Sequence, residues 1–443
     1  MASSVAFLPQ VPCKCEPMMD SRLDYREPVM IDKKTRALVE QQARPLNGLT
    51  GHPFEIVLED QENEIVTQGM TLHTKLKISK ADKSAWADDE PAVAPINNIA
   101  ASLWERIRTK VNDHEINSEG SSHIAVKVLV NNMLSYNPAP AEQLAAAGFE
   151  VEEKGANVTS TGEENKTFTS RCAEYVKSKE VMVSCALPVD VSTLSNFLAP
   201  GNKLSFEFYR SSEDFHLMAE NGTVKWKTEI TDVFIQYYRV VLEDQAQESL
   251  ESAAKSQYLG YQLDYTEVKS IEVPKGVSNW VLPVYPAGHV LPKQIHVMQA
   301  ATKNLESVTK NPLAFPHMNL TYLCPKINDE TPPYMAREPN FAKKLVSLEY
   351  YRMFQHTGKA RSADKGLLIT KEMFQNNHAI FPFDLSYDRC NGGHLHVGRR
   401  GKLDLVMGWG SPLANPTTVL VYSIFDQLLT VDPKTKLPIV QYV

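Results

Sequence analysis

Leu187–Ser192 reads LPVDVS and Phe381–Ser386 reads FPFDLS, one in each half of the 443-residue chain. Each precedes a strand opened by glycine: GNKLSFEF at 201–208 and GKLDLVM at 401–407. Both halves then finish on a hydrophobic strand, Val233–Val241 in the first and Val419–Phe425 in the second. Three matches in the same order point to a duplicated unit built from strands.

The pattern around these blocks agrees. In Gly69–Ile78, Met70, Leu72, Leu76 and Ile78 alternate with polar residues, the period-two signature of a strand with one buried face. Leu204, Phe206 and Phe208 repeat it, as do Leu403, Leu405, Met407 and Trp409. Glu229–Leu242 (EITDVFIQYYRVVL) is rich in β-branched and aromatic residues and reads as a strand buried on both faces. Three stretches carry helical spacing instead: Ala100–Val111, His123–Leu134 and Phe341–Phe354. The polar stretch Glu243–Gln257, without aromatics or prolines, reads as a linker or a solvated helix between the halves.

Length and composition suit this division. A chain of 443 residues exceeds one compact core and fits two domains. Its 27 prolines outnumber its 20 glycines, which favours many loops and breaks over long helices. We therefore expect an extended N-terminal arm over 1–45, a first sandwich over 46–245, a linker over 246–258 and a second sandwich over 259–443. Short strands and long loops, duplicated, give an all-β fold of two tandem jelly-roll β-sandwiches with short helices in the loops.

The net charge of −7 argues against a nucleic-acid binder, which normally shows a basic face or arm. In the first 45 residues Lys14, Arg22, Arg26, Lys33, Lys34, Arg36 and Arg44 are balanced by Glu16, Asp20, Asp24, Glu27, Asp32 and Glu40. Direct genome contact by this arm is not expected. Cys13, Cys15, Cys172, Cys185, Cys324 and Cys390 contain no CxxC pair and read as reduced thiols. The start MASSVAFLPQ lacks the basic and apolar regions of a signal peptide, so the sequons at Asn157, Asn165, Asn221 and Asn319 read as chance matches. No apolar run is long enough to span a bilayer.

Five blocks resemble the double jelly-roll major capsid proteins, hexon-like and closest to those of Polinton (Maverick) elements and adintoviruses. They are HPFEIVLEDQENEIVTQGMTLHTKLKI (52–78), PINNIAASLWERIRTKVNDHEIN (95–117), LAPGNKLSFEFYRSSEDFHLM (198–218), NPLAFPHMNLTYL (311–323), and FPFDLSYDRCNGGHLHVGRRGKLDLVMGW (381–409) with VLVYSIFDQLLTVD (419–432). Within the second block the Asn97-Asn98 turn and the Leu103-Trp104 pair match, and the blocks together cover about residues 50–435. The resemblance implies a homotrimer forming a pseudo-hexameric capsomer of an icosahedral shell, with penton and minor capsid proteins as further partners. It implies a virion component assembled inside the host cell, with no cofactor and no enzymatic activity. The chain is short for this group, so its surface loops are expected to be small. The alternative is a minor capsid or vertex β-sandwich protein that recognises glycans, with Trp86, Trp226, Trp280 and Trp409 as the aromatic source.

Residues with chemical potential are few. Cys390, His394 and His396 in DRCNGGHLH could ligate zinc, but they match no standard spacing, and the two glycines are explained by a tight turn. Cys13 and Cys15 could cross-link subunits. Asp384 and Asp388 could act as acid and base, yet Asp190 occupies the position of Asp384 in the other half, which favours a turn at a strand end. No G-x-S-x-G, H-E-x-x-H or phosphate loop occurs. The aromatics Phe206, Phe208, Tyr237, Tyr238, Phe381, Phe383 and Tyr387 read as core, and Asp88-Asp89-Glu90 as a solvated loop. We expect no catalytic, cofactor or metal residues.

Overall fold

The computed structural model describes residues 34–49, 53–58, 64–82, 84, 86, 90, 92–116, 123–137, 140–152, 157–162, 164–332, 335–361, 365–387 and 395–442. The first half contains strands β1 (Thr35–Ala43), β2 (Phe54–Leu58), β3 (Glu64–Lys80), β4 (Val93–Pro95), β5 (Trp104–Val111), β6 (His114–Glu115), β7 (Val181–Ala186), β8 (Leu204–Arg210), β9 (Leu217–Ala219) and β10 (Trp226–Leu242). Between them lie helices α1 (Ile99–Ser102), α2 (Ile124–Ser135), α3 (Lys166–Tyr175) and α4 (Glu213–His216), and α5 (Asp244–Ser256) follows β10. The second half contains β11 (Leu259–Val273), β12 (Asn279–Val290), β13 (Gln294–Ala301), β14 (Leu320–Ile327), β15 (Phe381–Asp384), β16 (Arg400–Trp409), β17 (Thr417–Val431) and β18 (Pro438–Tyr442). Helices α6 (Ser347–His356) and α7 (Lys371–Asn376) lie between β14 and β15.

The sheet orders correspond strand for strand. The first half pairs β1-β10-β3-β7 against β2-β8-β5-β6, and the second pairs β11-β17-β13-β15 against β12-β16-β14. Where the first sandwich places β6 beside β5, the second places a bridge from Arg337 to Leu323 of β14. All these strand pairs are antiparallel. The order β1-β10-β3-β7 facing β2-β8-β5-β6 is that of a jelly roll, and β11-β17-β13-β15 facing β12-β16-β14 repeats it.

The repeated blocks fall at or just after β7 and β15, and then on β8 and β10 in the first half and β16 and β17 in the second. FPFD is β15 itself, whereas LPVDVS follows β7 directly, so the two motifs differ by one strand length in register. The next strands, β8 with β16 and β10 with β17, are equivalents.

The core follows from the alternation. Phe54, Phe206, Phe208, Trp104, Leu72 and Leu76 fill the first sandwich, with Phe208 stacked on Phe54 at 5.3 Å between centroids. Ile295, Leu403, Leu405, Val419, Val421 and Phe425 fill the second. Gly69, at φ +86°, sits where β3 carries extra residues opposite Tyr237 of β10; glycine accepts that backbone and the bulge kinks a 17-residue strand.

Four expectations change. Thr35–Ala43, inside the segment read as an arm, is the first strand of the first sandwich, paired along its length with β10. Ala100–Val111, read as a helix, is one helical turn followed by β5. Ile107, Thr109 and Val111 also satisfy period two, and Arg108 and Lys110 pair with Glu207 across the sheet on β8. The helix expected from Phe341 begins at Ser347, because Asn340 to Leu345 close a turn first. Finally β10, read as buried on both faces, buries only one fully: Val233, Ile235 and Tyr237 point inward, while Asp232, Gln236 and Tyr238 on the other side stay partly exposed. The strand buried on both faces is β17.

Two buried histidines link this core to pH. His216 lies between Ser211 Oγ (3.0 Å) and Thr228 Oγ1 (2.9 Å), and His296 stacks on Tyr422. Burial pulls each down to about 3. The unfolded chain protonates both near pH 6.5. Stability is therefore full above that value and falls as pH drops toward 3, by about 1.4 kcal/mol per pH unit for each histidine. Urea denaturation at a series of pH values should show this slope, and a His296→Asn variant should lose one histidine's share of it.

Candidate functional site

The geometry with functional content is the face where one sandwich meets the other. Along β17, Val419, Val421 and Phe425 point into the second sandwich, so Thr418, Leu420 and Tyr422 point out of it. All three outward residues are nevertheless buried, at 3, 1 and 1 % exposure. Helix α2 of the first sandwich covers them: Ala125, Val126, Leu129, Val130 and Met133 join the same apolar cluster. The Tyr422 hydroxyl donates to Asn131 Oδ1 at 3.1 Å.

Polar contacts fix the seam. Asp190, in a single 3-10 turn after β7, accepts from the Thr266 backbone N–H at 3.1 Å and from its hydroxyl at 2.7 Å, and pairs with Lys127 of α2. Glu152 of the first sandwich meets His378 of the second at 2.7 Å, with both side chains buried. Leu368 N–H donates to the Met133 carbonyl and Asn112 Nδ2 donates to the Lys436 carbonyl. Beside α2 the seam opens into a cleft of about 440 Å³ lined by Glu105, His123, Ser211, Glu272, Glu306 and Thr418. Burial lowers the pKa of His123, with Glu105 opposing.

A second feature joins distant strands. On the outer face of β13, His296 is the register partner of Tyr422 on β17, and the two rings stack with centroids 5.3 Å apart. On the equivalent β3, His73 is the register partner of Phe234 on β10, stacked at 4.7 Å. His73 also contacts Thr71 Oγ1 and Ser184 Oγ at 2.9 and 2.8 Å. The first pair is sealed under α2; the second lies on an outer sheet face where His73 is half-buried and Met182 is 50 % exposed. A histidine in mid-strand facing an aromatic on a neighbouring strand leaves no local sequence signal, because the partners lie more than a hundred residues apart.

The residues singled out by sequence distribute as follows. Cys13, Cys15, Asp88, Asp89, Asp388, Cys390 and His394 lie outside the described residues. His396 accompanies Asp426, through its backbone N–H at 3.0 Å and its ring at 2.9 Å. Lys293 joins Asp426 and Asp264, each at 2.7 Å. Burial would raise the Asp426 carboxyl, but hydrogen bonds from Lys293 and His396 outweigh it and hold the pKa below the ordinary range. Among the described residues no three His, Cys, Asp or Glu side chains gather as metal ligands would.

Asp384 accepts from the Ser386 N–H and hydroxyl, a local turn, so the two repeated aspartates serve different ends. Phe206, Phe208, Tyr237, Phe381 and Phe383 are buried, Tyr238 is partly exposed and Tyr387 is exposed beneath the Arg399 guanidinium. Of the tryptophans, Trp226 packs on Trp86, Trp409 donates to Gln299, and Trp280 is exposed on β12, so they form no shared platform. Asn165 is buried as the N-cap of α3.

No family model matches the sequence, and no curated protein matches it. Solved structures do. A chain of the Sputnik virophage, solved by cryo-EM, superposes with a TM-score of 0.62 at 10 % identity, covering 98 % of this chain and 94 % of that one. A chain of the PBCV-1 virus capsid superposes with a TM-score of 0.57 at 9 % identity, covering 94 and 99 %. The fold of the described residues is thus a double jelly roll, mostly β with short helices. Mavirus major capsid protein has the same fold, with a TM-score of 0.52 at 10 % identity and coverage of 100 and 97 %.

The two aspartates give a contrast that can be measured. Asp190→Ala leaves Lys127 and the Thr266 N–H without their partner at the seam and should cost about 2–4 kcal/mol. Asp384→Ala loses only a local turn and should cost about 1 kcal/mol. Chemical denaturation of both variants beside the parent compares them.

Proposed function

We propose that this protein is a structural component of a viral shell, a major capsid protein, and not an enzyme. The observation that carries this reading is the pair of complete jelly rolls in one chain, locked by a buried seam, with the same architecture end to end as mavirus major capsid protein. A single chain with two similar sandwiches side by side supplies two of six lobes. Three copies around a threefold axis complete a near-hexagonal prism, the shape that tiles a closed shell.

In this reading the principal partner is the protein itself, as a homotrimer and then as neighbouring capsomers in the icosahedral shell. Penton and minor capsid proteins are further partners, the genome is not contacted directly, and the site of action is the virion, assembled inside the host cell. The boundary between the two sandwiches is taken at 246–258, which takes in most of the largely exposed helix α5 (Asp244–Ser256) that joins β10 to β11.

Light scattering coupled to size-exclusion chromatography tests the proposal. The purified protein should elute with three times its 49.7 kDa chain mass. A strictly monomeric species at micromolar concentration and moderate salt contradicts it.

A further inference from the structure

The second sandwich carries an open cleft of about 630 Å³ that takes no part in the seam. It lies between the β13–β14 connection, which supplies His317, and the β14–β15 connection, which supplies Phe341, Lys344 and helix α7. Its size falls in the range of small-molecule sites, about 300–1,000 Å³. Backbone hydrogen bonds tie the two connections together. The Phe315 N–H donates to the Asn377 carbonyl at 2.6 Å, and the Ala379 N–H returns to the Phe315 carbonyl at 2.9 Å. The walls are therefore held in place before any ligand arrives.

The floor is aromatic. His317 stacks face to face on Phe341, with ring centroids 4.1 Å apart and planes 4° from parallel. Phe341 is buried and packs on Phe374, so the half-buried His317 is the outer ring of the stack. Its Nδ1 accepts from the Asn319 N–H at 2.8 Å, which leaves the proton of the neutral ring on Nε2. Burial lowers its pKa and keeps the ring neutral.

The rim is polar and positively charged. Lys344 sits at φ 55° in a turn closed by its N–H to the Phe341 carbonyl, and the Lys371 ammonium donates to Ser347 Oγ at 2.7 Å. Glu372, Gln375 and Asn376 of α7 complete the lining. Lys75, Lys110, Lys127 and Lys293 elsewhere each hold a carboxylate. Among the described residues no carboxylate pairs with Lys344 or Lys371, and nothing satisfies the side-chain amides of Gln375 and Asn376.

We propose that this cleft binds an acidic sugar, a pyranose that carries a carboxylate or a sulfate. The C–H face of the ring packs on the His317–Phe341 stack, and the two ammoniums take the acid group through charge-assisted hydrogen bonds. Glu372 accepts from hydroxyls, while the amides and the His317 Nε2–H supply donors to them. A neutral sugar leaves both ammoniums unused. A nucleic-acid strand brings repeated phosphates past Glu372, on a chain whose net charge is −7. The site belongs wholly to one sandwich, so the inference goes beyond the shell reading and holds for a monomer as for a trimer. Repeated over a shell, a site that is weak in one copy gains by avidity.

Surface plasmon resonance on the immobilised full-length protein tests it, with sialyllactose, lactose sulfate and lactose as the probes. One or both acidic sugars should bind, with lactose about tenfold weaker or more, and the probe that binds identifies the acid group. K344A/K371A changes two exposed positions. It should keep the parent's melting temperature and weaken the acidic sugar about tenfold or more. E372Q removes the opposing charge and should tighten binding about twofold or more. No binding of either acidic sugar at millimolar concentration overturns the inference, as does lactose binding equally well or K344A/K371A binding like the parent. Should the double variant fail to fold, E372Q decides, and binding no tighter than the parent's overturns the inference.

Discussion

The structure depends on burying both faces of one sheet. In a lone sandwich, β17 would need apolar residues only on the side facing β12, β14 and β16. Instead Leu420 and Tyr422 on its other side lie beneath α2, and Asp190, Lys127 and Thr266 fix that arrangement. A sheet covered on both sides reads as a continuous apolar run, which is what TTVLVYSIF is. The seam thus makes the two sandwiches one body, and it sets the angle at which the second is held against the first.

The seam also accounts for the difference between the equivalent strands β10 and β17. Both occupy the second position of their sheets, and both carry an aromatic stacked on a histidine of the neighbouring strand. In β10 the outward positions include Asp232 and Gln236, which suit a face that meets solvent in the isolated chain. In β17 the outward positions in the middle of the strand are closed off and almost without charge. The sequence divergence between the two halves follows the environments they face, while the strand order stays the same.

Much of the fold was legible in the sequence because alternation reports burial directly. The strands containing Leu72 and Leu76, Phe206 and Phe208, and Leu403 and Leu405 were visible that way, as were the duplication and the double jelly roll. What was hidden is long-range. Trp104–Val111 satisfies helical and strand periods at once, and only pairing with β8 and the Glu207 ion pairs decides between them. Thr35–Ala43 is a strand that is almost wholly exposed, so no burial pattern marks it. The seam could not be read at all: Asp190 and Asp384 stand alike in motifs that look alike in sequence, yet Asp190 lies in the turn after β7 and pins two sandwiches together, while Asp384 ends β15 and closes a turn. The His–aromatic pairs were equally silent, since each joins distant strands.

Of the two equivalent outer faces, one is closed by α2, while on the other Phe234 lies beneath the Arg44 guanidinium and Gln42 and Met182 are exposed. The most direct measurement is a cryo-EM reconstruction of the purified protein at a resolution that shows helices. Three chains are expected in a six-lobed ring, each chain supplying two lobes held together by the α2–β17 seam. Single-chain particles, or a ring in which one chain supplies a single lobe, would contradict this.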